Sequence, residues 1–275
     1  MITRIITGII GIALAAYVIQ TGGWVFSGMV LLLSVAGWHE FVKAFIHKGI
    51  RLSYFIGILV LVLFWGCAWL GNSDEFVAVG TAAMLVVLSK AVLAHKTFSV
   101  EQACISLAGM VYVGFAFSHL ILLRFMGNGV MLQTPVGNME AGCALLWLAL
   151  IGTWASDTFA YFTGSLLGRH KLCPDISPNK TIEGFIGGLI GTTVSVVVLG
   201  MAVSFPFLSM LLLGICVDLI ATIGDLVESI IKRYTGIKDS GSLIPGHGGV
   251  LDRFDSVMFT VPFVYYFMQI SKIAG

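Results

Sequence analysis

The chain has 275 residues, 58% hydrophobic and 11% charged, with a net charge of +1, a pI near 7.7 and a mean hydropathy of +0.99. A soluble domain carries about 25% charged residues, so the bilayer, not water, is the solvent that fits this composition. The near-neutral balance gives no footing for a nucleic-acid partner. The five cysteines (Cys67, Cys104, Cys143, Cys173, Cys216) lie mostly in apolar runs without paired spacing, and read as small buried hydrophobes, not disulfides or a zinc site.

The apolar runs are long and hydrophobic all round, which excludes the alternating strands of about 10 residues that a membrane barrel would show. They predict an all-α polytopic membrane protein with about nine transmembrane helices: 4–20, 23–45, 52–70, 76–94, 103–125, 143–168, 183–204, 207–233 and 250–272. The opening "MITRIITGIIGIALAAYVIQTGGW" lacks a polar cleavage region and runs straight into a second apolar stretch, so it reads as a retained first span. Turn signals separate the runs: "TGG" at 21–23, "HKGIR" at 47–51, "GNSDE" at 71–75, "GNG" at 127–129 and Pro206. Two parts are expected, 1–142 with the packing and lipid-access helices and 143–275 with the chemistry.

Nine spans gather thirteen of the fifteen lysines and arginines on the side of Arg4, leaving Arg124 and Lys272 on the other. By the positive-inside rule the N-terminus and the basic face are expected in the cytoplasm and the C-terminus outside, in a cell inner (plasma) membrane. That places "SIIKRYTGIKDSGSLIPGHGGVLDRFDS", Ser229 to Ser256, at the cytoplasmic end of the last two spans.

Six of the fourteen acidic residues lie in or against spans six, eight and nine: Asp157, Asp218, Asp225, Glu228, Asp252 and Asp255. An aspartate at the centre of a span costs about 2.5–3.5 kcal/mol on the insertion scale, so a compensating partner or a water-filled cavity is implied. Asp218, Asp225, Ser229 and Lys232 follow at steps of seven, four and three and share one helix face. Asp252 and Asp255, three apart, are expected to share another. Carboxylates from two helices, joined by a loop rich in glycine and cations, suggest a divalent metal beside phosphate, the setting magnesium prefers. Upstream, "SPNKTIEGFIGG" offers Lys180 and a candidate helix cap at Thr181. Glycines 184, 187, 188 and 191 read as close helix packing. Trp24, Trp65, Trp69 and Trp147 read as interface anchors, and "FVKAFIHKGIR" as a solvated turn.

The run Ser229, Lys232, Arg233, Lys238, Asp239, His247, Gly248, Gly249, Asp252, Arg253, Asp255 resembles the signature of phosphatidate cytidylyltransferases, the CDP-diacylglycerol synthases. "SDTFAYFTGSLLGRHKLCPDISPNKTIEGFIGG" resembles a second stretch of that family, with Asn179 where a second basic residue is common. The resemblance is specific over 157–256 and compatible over the first 140 residues. It implies a dimeric, polytopic enzyme of phospholipid biosynthesis that moves a cytidylyl group from CTP to phosphatidic acid, releasing pyrophosphate. On that likeness Asp225 and Asp252 are expected to hold one magnesium ion or a pair, with Lys232 beside them. Lys238 and Arg253 would bind phosphate, as would Lys232, and Lys180 with Thr181 would hold the nucleotide. Ser229, Arg233, Asp239, His247, Gly248 and Gly249 line the substrates on the same likeness, and Asp157, Asp218 and Asp255 support the site. A CTP-dependent lipid kinase would instead move the γ-phosphate to an alcohol and need a base. A cation transporter would show broken helices near the midplane in repeated halves, whereas these acids crowd one end.

Overall fold

In the computed structural model, residues 2–72, 74–243 and 248–271 are described, with side chains from Thr7 onward. Among them six helices are long and apolar enough to cross a membrane: Gly23–His47 (α2), Glu75–Leu93 (α4), Val100–Arg124, Ala141–Leu167 (α7), Ile182–Ala202 (α8) and Phe207–Thr235 (α9). Three shorter apolar helices, Thr7–Thr21 within α1 (Ile2–Thr21), Tyr54–Leu70 (α3) and Val257–Ser271 (α11), fall on the remaining expected runs. The protein is therefore an all-α, multi-pass membrane protein. Val100–Arg124 is not uniform: α5 (Val100–Gly109) and α6 (Ala116–Arg124) flank a π-helical stretch, Met110–Phe115.

The chain folds as two compact units, Met1–Leu122 with Lys232–Phe254, and Leu123–Ile231 with Asp255–Gly275. Packing thus assigns Lys232–Phe254 to the unit of the N-terminal helices, where order along the chain suggested a cut after residue 142. In the first unit Trp38, Leu61, Met110 and Phe117 are fully buried at the meeting of α2, α3 and the π-helical span. Gly57 makes that possible: any Cβ there would overlap the Trp38 ring, whose Nε1 donates to the Tyr54 carbonyl at 3.0 Å.

In the second unit α7 and α8 pack closely along their lengths, and α11 lies on α7. Gly184, Gly187, Gly188 and Gly191 face Gly164, Thr163, Ala160 and Phe159 of α7 without room for a side chain, as their reading as packing glycines requires. Two antiparallel hairpins interrupt the helices: β1 (Met131–Thr134) with β2 (Gly137–Glu140), and β3 (Lys171–Cys173) with β4 (Ser177–Thr181). They are short polar connections that the apolar pattern could not reveal.

One expected helix is broken. The run 250–272 folds as a four-residue turn of helix, α10 (Leu251–Phe254), and then α11. At the break the Ser256 amide donates to Asp255 Oδ1 (2.7 Å) and its hydroxyl to the Ala221 carbonyl (3.1 Å), local bonds that compete with helix continuation. Asp252 and Asp255 therefore do not share the face of one helix.

Candidate active site

In the first unit the site is built on the end of α9. Gly236, at φ 75°, closes the helix: its amide donates to the Arg233 carbonyl (3.3 Å) and the Ile237 amide to that of Lys232 (3.1 Å). The last turn is tied down by His47, whose Nδ1 donates to the Thr235 carbonyl at 3.1 Å, and by Lys48 over the Tyr234 ring. Part of the basic stretch read as a solvated turn thus braces this helix end.

Beyond it the chain folds around Asp252. Oδ2 of Asp252 accepts from the Ser240 amide (2.9 Å), the Ser240 hydroxyl (2.9 Å) and the Gly249 amide (2.8 Å). Oδ1 pairs with the Lys232 ammonium at 2.9 Å, with the Asp252 side chain only 6% exposed. Burial works to raise the pKa of this carboxyl, but the bonds from Gly249, Lys232 and Ser240 outweigh it and hold the group down at about 2. Gly248 sits at φ 89°, and a Cβ there would lie 2.7 Å from Oδ2. Lys238, Asp239, Arg233 and Arg253 are exposed around this knot. His247 lies outside the described residues.

In the second unit the β3–β4 hairpin delivers Lys180 to α9, where its ammonium meets Asp225 Oδ2 at 2.7 Å. Ser229, one turn on, donates to Asp225 Oδ1 at 3.4 Å. Thr181 caps α8 by accepting from the Gly184 amide (3.1 Å), the role its place in the sequence suggested. Glu183 in the same turn holds the amides of Arg169 (3.1 Å) and His170 (3.2 Å), fixing the base of the hairpin. Deeper in the bundle Asp218 is buried, its Oδ1 accepting from Ser156 (2.7 Å) and Thr192 (3.3 Å), so three helices meet on one carboxylate. Asp157 is exposed on α7, and Asp255 stands at the break before α11.

Each unit therefore presents a lysine–carboxylate pair whose oxygens keep acceptor capacity. Asp225 receives one bond on each oxygen, and Asp252 Oδ1 receives one from Lys232. Among the described residues no group of three or more His, Cys, Asp or Glu could hold a metal ion.

Glu40 is the residue that sequence reasoning missed. It is buried in α2, and its carboxylate accepts from the amides of Val250 (2.9 Å) and Leu251 (3.0 Å) and from the Ser240 hydroxyl (3.3 Å). The signal was available: Glu40 is the sole acid before Asp74 and lies inside an expected span.

Apolar helices long enough to cross a bilayer, carrying carboxylates paired with lysines, define a polytopic membrane protein. The chain belongs to the cytidylyltransferase family, whose model matches residues 2–271. It is 30% identical over 276 residues to a phosphatidate cytidylyltransferase of Bacillus subtilis (strain 168), covering 97% of each chain. It is 35% identical over 286 residues to the enzyme so named in Synechocystis sp. (strain ATCC 27184 / PCC 6803 / Kazusa), covering 96% of this chain and 95% of that one. A Staphylococcus saprophyticus phosphatidate cytidylyltransferase is 35% identical over 267 residues, covering 95% of this chain and 96% of the other.

Proposed function

We infer that the protein transfers a cytidylyl group from CTP to phosphatidic acid, giving CDP-diacylglycerol and pyrophosphate. The observation that carries this is the match, over nearly the whole chain, to relatives bearing the name phosphatidate cytidylyltransferase. In the reaction a phosphate oxygen of phosphatidic acid forms a bond to the α-phosphorus of CTP. The bond from that phosphorus to the oxygen bridging it to the β-phosphate breaks, and pyrophosphate leaves with the electron pair. The attacking phosphomonoester is already largely ionised at neutral pH, its second pKa lying near 6, so no general base is needed. Catalysis then rests on alignment and on neutralising charge.

The described cations suit that task. Lys232 and Lys180 are each held at one carboxylate, and exposed Lys238 and Arg253 stand beside the Asp252 knot. Lysines act here as point charges toward phosphate, and arginine as a planar fork. On the family resemblance Asp225 and Asp252 would hold magnesium, which would supply charge stabilisation on the transferred phosphate and the leaving pyrophosphate. Ser229, Arg233, Asp239, His247, Gly248, Gly249 and Thr181 are assigned to the substrates, and Asp157, Asp218 and Asp255 to support, on the family resemblance. The same resemblance supports a homodimer. The distribution of lysine and arginine supports a cytoplasmic N-terminus and site and an external C-terminus in the plasma membrane.

The test is turnover of purified protein in detergent with CTP, phosphatidic acid and magnesium. CDP-diacylglycerol and pyrophosphate are expected in equal amounts. Release of CDP with a newly phosphorylated lipid, or no lipid product, would overturn the assignment.

A further inference from the structure

Glu40 accepts from two backbone amides, those of Val250 and Leu251, and shares the single Ser240 hydroxyl proton with Asp252 Oδ2; all of these donors are neutral. It is only 5% exposed and sits in a membrane helix, where a carboxylate is retained only if something depends on it. The fit is close on two sides. A Cβ on Gly241 would lie 2.5 Å from Oε1, and one on Gly249 2.5 Å from Oε2, so both loop strands are laid flush against this one side chain.

The Ser240 hydroxyl stands between two carboxylates, 3.3 Å from Glu40 Oε2 and 2.9 Å from Asp252 Oδ2. Glu40 and Asp252 thus meet on the same hydroxyl. Glu40 fixes the amides of Val250 and Leu251, and Asp252 turns Oδ2 inward onto Ser240 and Gly249. That leaves Oδ1 to pair with Lys232.

We propose that Glu40 is a positioning residue for cytidylyl transfer: it anchors Ser240, Val250 and Leu251 so that Asp252 and Lys232 present one fixed orientation to the reacting phosphates. Glu40 itself touches no substrate. The inference rests on the function proposed above, and wild-type protein without CDP-diacylglycerol synthesis would sink that function, not this role.

Glu40→Gln keeps the volume but replaces one acceptor oxygen by a donor, which then confronts the amide of Val250 or of Leu251. Turnover per folded molecule is expected to fall by about tenfold or more, the scale of a lost hydrogen bond to a charged group. The Michaelis constant for CTP should move far less, because the lysines and arginine remain. Glu40→Asp, which keeps the charge, should recover part of the loss. In the absence of substrate, amide exchange in a peptide covering 248–254 should quicken in Glu40→Gln and partly recover in Glu40→Asp. Should Glu40→Gln fail to fold, Ser240→Ala removes the shared hydroxyl alone and is expected to lower turnover with faster exchange in the same peptide. Normal turnover in the folded fraction of Glu40→Gln, or of Ser240→Ala where that is the variant measured, would leave Glu40 a packing residue and overturn the proposal.

Discussion

Asp252 carries two burdens that a substitution can separate by pH. Its folded pKa of about 2 lies below the ordinary 3.8, so ionised Asp252 stabilises the fold fully above pH 3.8 and loses that contribution as pH falls through 2. The difference amounts to about 2 kcal/mol. Unfolding of detergent-solubilised protein between pH 6 and pH 2 should show the acid loss in wild type and much less of it in Asp252→Asn. An acid limb of the activity profile above pH 5 would belong to another group, the phosphatidate phosphate first among them.

At pH 7, Asp225→Asn and Asp252→Asn should each lower turnover by about a hundredfold or more, as removal of charge-stabilising groups does. Near-normal turnover in either, with magnesium varied, would remove that residue from the metal site. Lys232 and Lys238 should behave differently from one another. Lys238 is exposed, so Lys238→Ala should weaken CTP or phosphatidate kinetics and leave melting unchanged. Lys232 partners a carboxylate that is 6% exposed, so Lys232→Ala should also cost about 1–3 kcal/mol of stability. Equal melting of the two variants would contradict the pairing described here.

Helix α8 starts where it does because Thr181 ends the β4 strand and caps the first turn, holding Lys180 one residue away from a rigid helix end. Thr181→Ala should cost about 1 kcal/mol in melting and raise the Michaelis constant for CTP, whereas Thr181→Ser, which keeps the cap, should do neither. Loss of stability without a change in CTP kinetics would separate the cap from the nucleotide. Helix α3 depends on a different contact. Gly57→Ala pushes a methyl group into the Trp38 ring and is expected to destabilise the first unit by about 1–3 kcal/mol, the usual cost of overpacking.

For the whole molecule, if all nine apolar segments cross, the two chain ends lie on opposite sides of the membrane. A reporter that matures only outside the cytoplasm should be active at the C-terminus, and one that reads as cytoplasmic there would refute the orientation. The lysine and arginine distribution makes this a demanding test, because one miscounted span reverses every charge that follows it.

The sequence by itself determined the solvent, the helical class and the number of apolar segments. Those depend on hydrophobic run length, which each residue contributes to locally. It also determined the chemistry, because Asp225, Lys232, Lys238 and Asp252 stand in a spaced signature near one end of the chain. Which partners those residues take was decided only in three dimensions. Glu40 bonds to Ser240 and Val250 across separations of 200 and 210 residues, which no local pattern encodes. Lys180 meets Asp225 only because a hairpin brings it to α9, and Asp255 leaves the face of Asp252 because Ser256 bonds to Ala221 and ends the helix. Partner choice for a buried charge is set by whichever donors the packed backbone delivers to it, and that delivery is a property of the fold.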